Sequence, residues 1–494
     1  DSSPFPDSLR DCIGDNRLRN RGVREVWNRY MVWSPTNTHQ TDPPPPMFKH
    51  VPPLLKLAGP MILSSSTVTL MQIIDALVLS HHSSEAVAAM GPASLAIILF
   101  QGLLWGTTGY TSTFVAHNHG AGDPAGVRKA TWQGIHASWA GGLLGLLLAW
   151  PLAKLFLFAG HAPEVESDEM VYFAICMAGS FFPVLSAALA GWLSGTGRTG
   201  IVTVVTVVSF LVNAALAWVL VLGHLGMPRM GIAGAAWATV AAQAVAAALY
   251  VVLFAREGGW SDKIARAFDK KAFLHFLGMA VPLGLRISGE LVAWTLFLVF
   301  VGRLGTAELA ASSIAFRING TAFFPALGLG QAAGVLVGQA RGAGRDEDVP
   351  GITWQSLLVC EVWMLVMAVV FVAIPVPLLS AFAGTGPEAA RIVEAGTMIL
   401  RFVAFYCIFD AANVMIGCVL ASVGDTRWIA RAFLVFSTAF LALLWAVDTM
   451  LPSLVLEWTL ATIFVFATAI AWVIRFQKGA WKKIQVLRES AALP

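Results

Sequence analysis

The sequence predicts an all-α membrane protein whose twelve transmembrane helices form two six-helix lobes related by a parallel pseudo-two-fold repeat. Three observations predict it. Of 494 residues, 57% are hydrophobic and 12% charged, more apolar surface than a soluble globule could hide. Apolar stretches long enough to cross the hydrocarbon recur along the whole chain. The chain also repeats itself: "GAGDPAGVRKATWQ" from Gly120 to Gln133 returns as "GAGRDEDVPGITWQ" from Gly342 to Gln355, 222 positions later. At that offset Ala58 meets Ala280, Pro60 meets Pro282, Ser66 meets Ser288, Gly106 meets Gly328 and Val115 meets Val337. No gap is needed from Pro60 to Gln133, so the register is that of a duplication and not of two apolar segments that happen to agree.

The spans begin near residues 54, 91, 131, 170, 201, 231, 274, 309, 352, 393, 428 and 452. Each is expected to be helical, because in lipid every backbone group must pair within its own segment. Short connections carry turn residues, as in "HHSS" at 81–84, "GTGRTG" at 195–200 and "VGDT" at 423–426. The longest internal linker, Arg256 to Lys271, is also the most basic. It divides a first lobe, 51–256 (helices 1–6), from a second, 273–475 (helices 7–12), with 257–272 a cytoplasmic linker and 476–494 a cytoplasmic tail. Six is even, so both copies enter from the same side and the axis between them runs along the membrane normal.

Charge sets the orientation. With the amino terminus inside, the inner loops hold Arg128, Lys129, Arg198, Arg256, Lys263, Arg341, Arg345 and Arg427, whereas the outer "HAPEVESDE" is acidic. That asymmetry places both termini on the cytoplasmic side, and the protein is expected to be a multi-pass protein of the cell's inner (plasma) membrane. Residues 1–50 are expected to be a disordered extension. The first 46 are polar, Arg-rich, closed by "DPPPP" and without an apolar signal-peptide core, and Met47 opens "MFKHVPPLLKLAGP" as a start codon would.

Several function classes fall away. A net charge of +3 argues against a nucleic-acid partner. The five cysteines make no CxxC pair and imply neither disulfides nor zinc. No GxxxxGK[ST] supports an ATP-driven pump, and no cofactor is expected. "HNH" at 117–119 resembles a metal or nuclease signature only in letters, since it closes span two beside an inner loop.

Carboxylates inside spans remain, each costing roughly 2.5–3.5 kcal/mol on insertion scales and therefore needing a reason. The duplication does not copy them. Glu290 falls opposite Val68 and Asp75 opposite Phe297; matching "LSGTGRT" at 193–199 to "LASVGDT" at 420–426 puts Pro183 opposite Asp410. Glu290 lies roughly 26 Å into the seventh span at ~1.5 Å per residue, and Asp410 comparably deep in the tenth, so both can face one cavity. These two are the candidate ligands for Na+. Asp75 sits about a turn from the outer end of span one, where a solvated helix end is the competing explanation. Asn413, one turn after Asp410, supplies an amide oxygen or orients the carboxylate. Arg286, one turn before Glu290, is positioned to neutralise it.

The motifs resemble those of the multidrug and toxic compound extrusion (MATE) transporters over roughly 54–475. In the first half "IIDALVLSHHSSEAVAAMGPAS", "QGLLWG", "GAGD" and the Gly-x-Gly-Arg-Thr, Asn213 and Gly-Ala-Ala blocks carry the likeness. In the second, "VPLGLRISGE" is similar to the family's Pro followed eight residues later by Glu, and "IFDAANVMIGCVLASVGDT" to its Asp-x-x-Gln helix. The resemblance implies a secondary antiporter exporting organic cations or drug-like compounds in exchange for Na+ or H+, with Asp75, Glu290 and Asp410 at the positions of functional carboxylates. Its implied partners are small organic molecules and the bilayer, and the protein is expected to be a monomer. Arg286 beside Glu290, Asn413 for Gln and Ala421-Ser422 for Arg-Gly depart from the pattern. The alternative is a flippase for a lipid-linked saccharide, which would need a cationic cavity for phosphate and makes Arg286, Arg317 and Arg401 the cations to follow.

Overall fold

The computed structural model describes residues 48–158, 160–384, 386 and 388–487, so nearly all of the expected 1–50 extension lies outside the described residues. Every described helix belongs to the unit that begins at His50. The helices of the first half are α1 (Val51–Ser80), α2 (Ser84–Gly109), α3 (Thr111–Gly120), α4 (Pro124–Ala153), α5 (Pro163–Ala178), α6 (Phe181–Gly195), α7 (Thr199–Leu222) and α8 (Gly231–Arg256). A short α9 (Lys263–Arg266) lies in the linker. The second half holds α10 (Lys270–Leu304), α11 (Thr306–Gly342), α12 (Asp348–Ala373), α13 (Pro375–Ala383), α14 (Ala389–Ser422), α15 (Thr426–Met450) and α16 (Leu454–Gln477).

Ten described spans are long and apolar enough to cross a membrane, and α5 with α6 makes an eleventh. The last of the twelve expected spans is α1, a 30-residue helix outside that set. Two expected helices are broken. The fourth bends by 44° between α5 and α6 at Gly179-Ser180, and the second stops at Tyr110 before resuming as α3. Several helices start earlier than hydropathy places them, because their polar first turns are capped. Ser83 accepts from the Ala86 N–H at 3.0 Å, and Asp123 Oδ1 from the Gly126 N–H at 2.9 Å.

Glycines duplicated by the repeat sit where the halves touch, and they touch reciprocally. The backbone of Gly120 packs on the Gln339 carbonyl, and that of Gly342 on the His117 carbonyl. Gln339 is the repeat counterpart of His117, so each half offers the other the same pair of positions. Farther along, a Cβ on Gly106 would come within 2.9 Å of Gly284 Cα, and one on Gly328 within 3.1 Å of the Ile62 nitrogen; Ile62 and Gly284 are again counterparts. Such an exchange of i with j and j with i is what a two-fold axis imposes on an interface, and small residues permit it. Both Gly-Ala-Gly motifs therefore lie at one end of the bundle, the motif end. Gly122 (φ 69°) and Gly344 (φ 72°) turn the chain there in the left-handed region that favours glycine.

Polar ties reinforce the contact near the motif end. The Tyr110 hydroxyl donates to the Ala421 carbonyl at 2.9 Å, and Gln339 Nε2 to the Gly195 carbonyl at 2.9 Å. His117 Nε2 lies 2.9 Å from the Ser422 carbonyl oxygen. The linker is held to the first half by Arg128–Asp262 (2.8 Å), Lys129–Asp269 (2.9 Å) and an Arg198–Glu257 pair. The tail is packed as far as it is described: Trp481 and Val486 are buried, and Val486 offers its carbonyl to His275 at 2.9 Å.

Candidate functional site

Two polar clusters lie buried within spans, one in each half. In the first half Asp75 is one turn short of the end of α1 yet only 5% exposed, which rules out the solvated helix end. Neighbouring helices bury it. The Asn213 amide of α7 faces its carboxylate, and Tyr172 of α5 stands within its electrostatic reach. Tyr172 in turn neighbours the hydroxyls of Ser94 on α2 and Thr239 on α8. Asn213 is fully buried and its Nδ2 donates to Thr239 Oγ1 at 3.4 Å. The hydroxyl of Thr239 is committed to the Ala235 carbonyl at 3.0 Å. Among the described residues, Asp75 Oδ1 and Asn213 Oδ1 are left without a donor. Two buried oxygens without a protein donor call for a proton, a cation or an ordered water.

The second cluster joins α10 to α14. Arg286 Nη2 lies 3.0 Å from Glu290 Oε2, so the pairing across one helical turn is made. Asp410 is buried, accepts a long hydrogen bond from Asn413 Nδ2 at 3.4 Å, and interacts electrostatically with Glu290 first and Arg286 after it. Glu290 and Asp410 therefore share one field, although Arg286 occupies part of it. Two carboxylates against one guanidinium leave room for a further cation. On α12 the buried Cys360, next in sequence to Glu361, stands within electrostatic reach of Asp410. Arg317 and Arg401, the other cations a phosphate-binding cavity would use, are exposed.

Sequence reasoning missed Tyr172, Thr239, Ser94 and Glu361, and left Asn213 without a role. Asn213 and Glu361 carry a readable signal, a lone polar side chain in the apolar runs "FLVNAALAWV" and "LLVCEVWML". Tyr172 and the hydroxyls carry none, since span residues of that kind are ordinary. Histidines within the spans are absorbed in packing: His117 is buried against Ser422, and His136 packs between the rings of Trp132 and Phe268.

The model of the MatE family matches residues 60–219 and again 282–446. The chain belongs to the MatE family of membrane transporters. The two matches of this MatE protein begin at Pro60 and Pro282, the pair of prolines that heads the internal repeat. A probable multidrug resistance protein NorM of Deinococcus radiodurans is 29% identical over 377 residues, 76% of this chain and 83% of that one. A NorM protein of Rhizobium meliloti is 31% identical over 321 residues, 63% of this chain and 68% of the relative. Among solved structures, one described as the outward-facing conformation of a multidrug resistance MATE family transporter of the MOP superfamily superposes with a TM-score of 0.80 at 19% identity. It covers 90% of this chain and all of that one. The shared fold is that of a multi-pass membrane transporter.

Proposed function

We propose that this MatE protein is a secondary active multidrug antiporter, exporting organic cations or other drug-like compounds in exchange for Na+ or H+. The observation that carries the reading is a buried carboxylate beside an asparagine in each half, Asp75 with Asn213 and Asp410 with Asn413. Oxygen-only groups of this kind suit a proton or a hard monovalent cation and suit soft metals poorly. The relatives' description as multidrug resistance proteins supports the substrate class. Arg286 is the resident countercharge of Glu290, which a coupling ion or a cationic substrate displaces. Its engagement by Glu290 weighs against the lipid-linked saccharide flippase, for which it would have to be free.

The chain is read as two six-helix lobes, 51–256 and 273–475, moving about the axis between them. The reciprocal glycine contacts and the doubled family match support that arrangement, with α1 as its first span. The basic loops favour a cytoplasmic place for the motif end, the 257–272 linker and the 476–494 tail. The ties at Tyr110, His117 and Gln339 then hold the cytoplasmic side shut, and release of a bound cation shifts the balance towards the opposite state. One charge moved across 100 mV supplies about 2.3 kcal/mol, enough for a roughly fifty-fold gradient of a neutral substrate. The test is efflux from sealed vesicles under separate Na+ and proton gradients. Transport of a fluorescent organic cation driven by neither gradient, but present with the wild type in symmetrical buffers, would sink the antiport reading.

A further inference from the structure

The carboxylates do not exhaust the charges within spans. Arg401 lies twelve residues into α14, the span that ends at the motif end with Ser422, and its side chain is exposed. One and two turns farther along the same helix face, Phe405 and Ile408 are exposed as well, as lipid-facing residues are. Two turns the other way, on that same stripe, comes exposed Glu394. Among the described residues neither Arg401 nor Glu394 has a hydrogen-bond or ion-pair partner. An arginine at this depth on a lipid-facing stripe is expensive unless its charge is answered.

Two adjoining cavities meet at Arg401. The first, of about 780 Å³, lies between α13 and α14 and is lined by Ser380, Glu394, Thr397 and Arg401. The second, of about 390 Å³, continues between α14 and α16 past Phe402, Phe405 and Ile463. The threonine hydroxyls along the groove are occupied: Thr397, Thr459 and Thr462 give their protons to Val393, Val455 and Trp458 of their own helices. The charges that remain are ordered along the helix as carboxylate, guanidinium, then aromatic slot. Glu394 and Arg401 are separated by roughly 10 Å of helix axis. The arginine side chain leans towards the helix N-terminus, which brings its guanidinium closer to Glu394.

We propose that this groove is a binding site for an aminophospholipid of the leaflet opposite the motif end, its phosphate on Arg401, its ammonium on Glu394 and one acyl chain along Phe402 and Phe405. The order of charges matches the ligand, because in an ethanolamine headgroup the phosphate lies beside the acyl chains and the amine points to water. The guanidinium fork suits a phosphate bidentately, and a carboxylate suits a primary ammonium better than a trimethylated one.

Native mass spectrometry of the delipidated full-length protein, incubated with equal amounts of phosphatidylethanolamine, phosphatidylcholine and phosphatidylglycerol of identical chains, tests the proposal. Wild type should retain the ethanolamine lipid in preference to both others. R401Q should lower its retention about tenfold, the scale of one charge-assisted hydrogen bond. E394Q should erase the preference over phosphatidylglycerol while lipid is still retained. R401K, which keeps the charge, should stay within about threefold of wild type and separates lost binding from lost folding. Equal retention of the three lipids by wild type overturns the proposal, as does unchanged ethanolamine-lipid retention in R401Q. If R401Q does not fold, R401K and E394Q decide alone, and an undiminished ethanolamine preference in E394Q overturns it.

Discussion

At the repeat offset Asp75 lies opposite Phe297 and Ser94 opposite Phe316; in the register of 193–199 with 420–426, Asn213 lies opposite Phe440. The second-half residues form one aromatic stack. The Phe297 ring is 6.0 Å from Phe316, 6.1 Å from Phe440 and 5.2 Å from Trp458. A carboxylate, a hydroxyl and an amide in one half are thus three phenyl rings in the other, on helices that occupy corresponding places. Positions where the halves meet kept their glycines, since a Cβ at Gly106 or Gly328 would strike backbone of the opposite half. Nothing of that kind protects a buried carboxylate, whose insertion cost removes it wherever it serves no purpose. The duplicated scaffold is therefore symmetric while its chemistry is not, and the second half carries its own acids at Glu290 and Asp410, in another place and against an arginine.

Removing one acid from each half in turn should separate the roles of the two clusters. Asp410→Asn should reduce cation-driven efflux to the level of empty vesicles while the amount of folded protein in the membrane is unchanged. Asp75→Asn should do the same if the first-half cluster binds the coupled ion. Full transport by Asp75→Asn would make that cluster a structural device and leave the second half to do the coupling alone. Asn213→Ala is the milder version, expected to weaken apparent ion affinity roughly 10–100-fold, as loss of an orienting partner does at other ion sites.

The aromatic counterpart should behave oppositely. Phe297 is fully buried, and Phe297→Ala removes a ring from the centre of the stack. The expected cost is about 3–5 kcal/mol of stability, read as a lowered melting temperature in detergent, with efflux per folded molecule retained. Loss of coupling without loss of stability would mean that the stack takes part in transport.

The ion pair separates the two kinds of role within a single half. Glu290→Gln leaves Arg286 with no carboxylate at 3.0 Å and with its Nε already lacking a partner. Stability should fall by roughly 1–3 kcal/mol, because a largely buried guanidinium loses its countercharge and keeps only a neutral acceptor. Combining it with Arg286→Leu should recover that stability. If the double variant also recovers coupled transport, Glu290 leaves the mechanism and Asp410 acts with other groups.

How much the chain reveals depends on the range of the forces involved. Spans and their duplication are legible because lipid imposes a run of apolar residues on each helix, and the prolines and glycines at 60, 106, 120 and their counterparts mark fixed contacts. The Arg286–Glu290 pair is legible because it lies within one turn of one helix. The bend at Gly179-Ser180 is not, since glycine and serine are common inside membrane spans. Nor is the burial of Asp75. Whether a residue near a helix end meets water depends on what α5 and α7 bring to it, and Tyr172 and Asn213 are far from it in sequence.

The smallest expected effect lies outside the spans and serves as the control for pH. Asp262 is held below the ordinary carboxylate value of 3.8 by the Ala265 N–H and by Arg128, and Asp269 by Lys129 and the Ala272 N–H. A carboxylate whose folded value is depressed contributes above its unfolded value, and the contribution disappears as pH falls through the folded one. The linker ties should therefore be intact at any pH above 3.8 and loosen only below it, a change that protease nicking across 257–272 would detect. Both groups are only partly buried and reach screening solvent, so Asp262→Asn and Asp269→Asn should shift neither stability nor transport appreciably near neutral pH. Between roughly pH 5 and 8 the double variant should keep the wild-type pH profile of efflux, which leaves any such dependence to the acids buried in the spans. A profile displaced by the linker changes would instead tie the movement of the halves to the strap at the motif end.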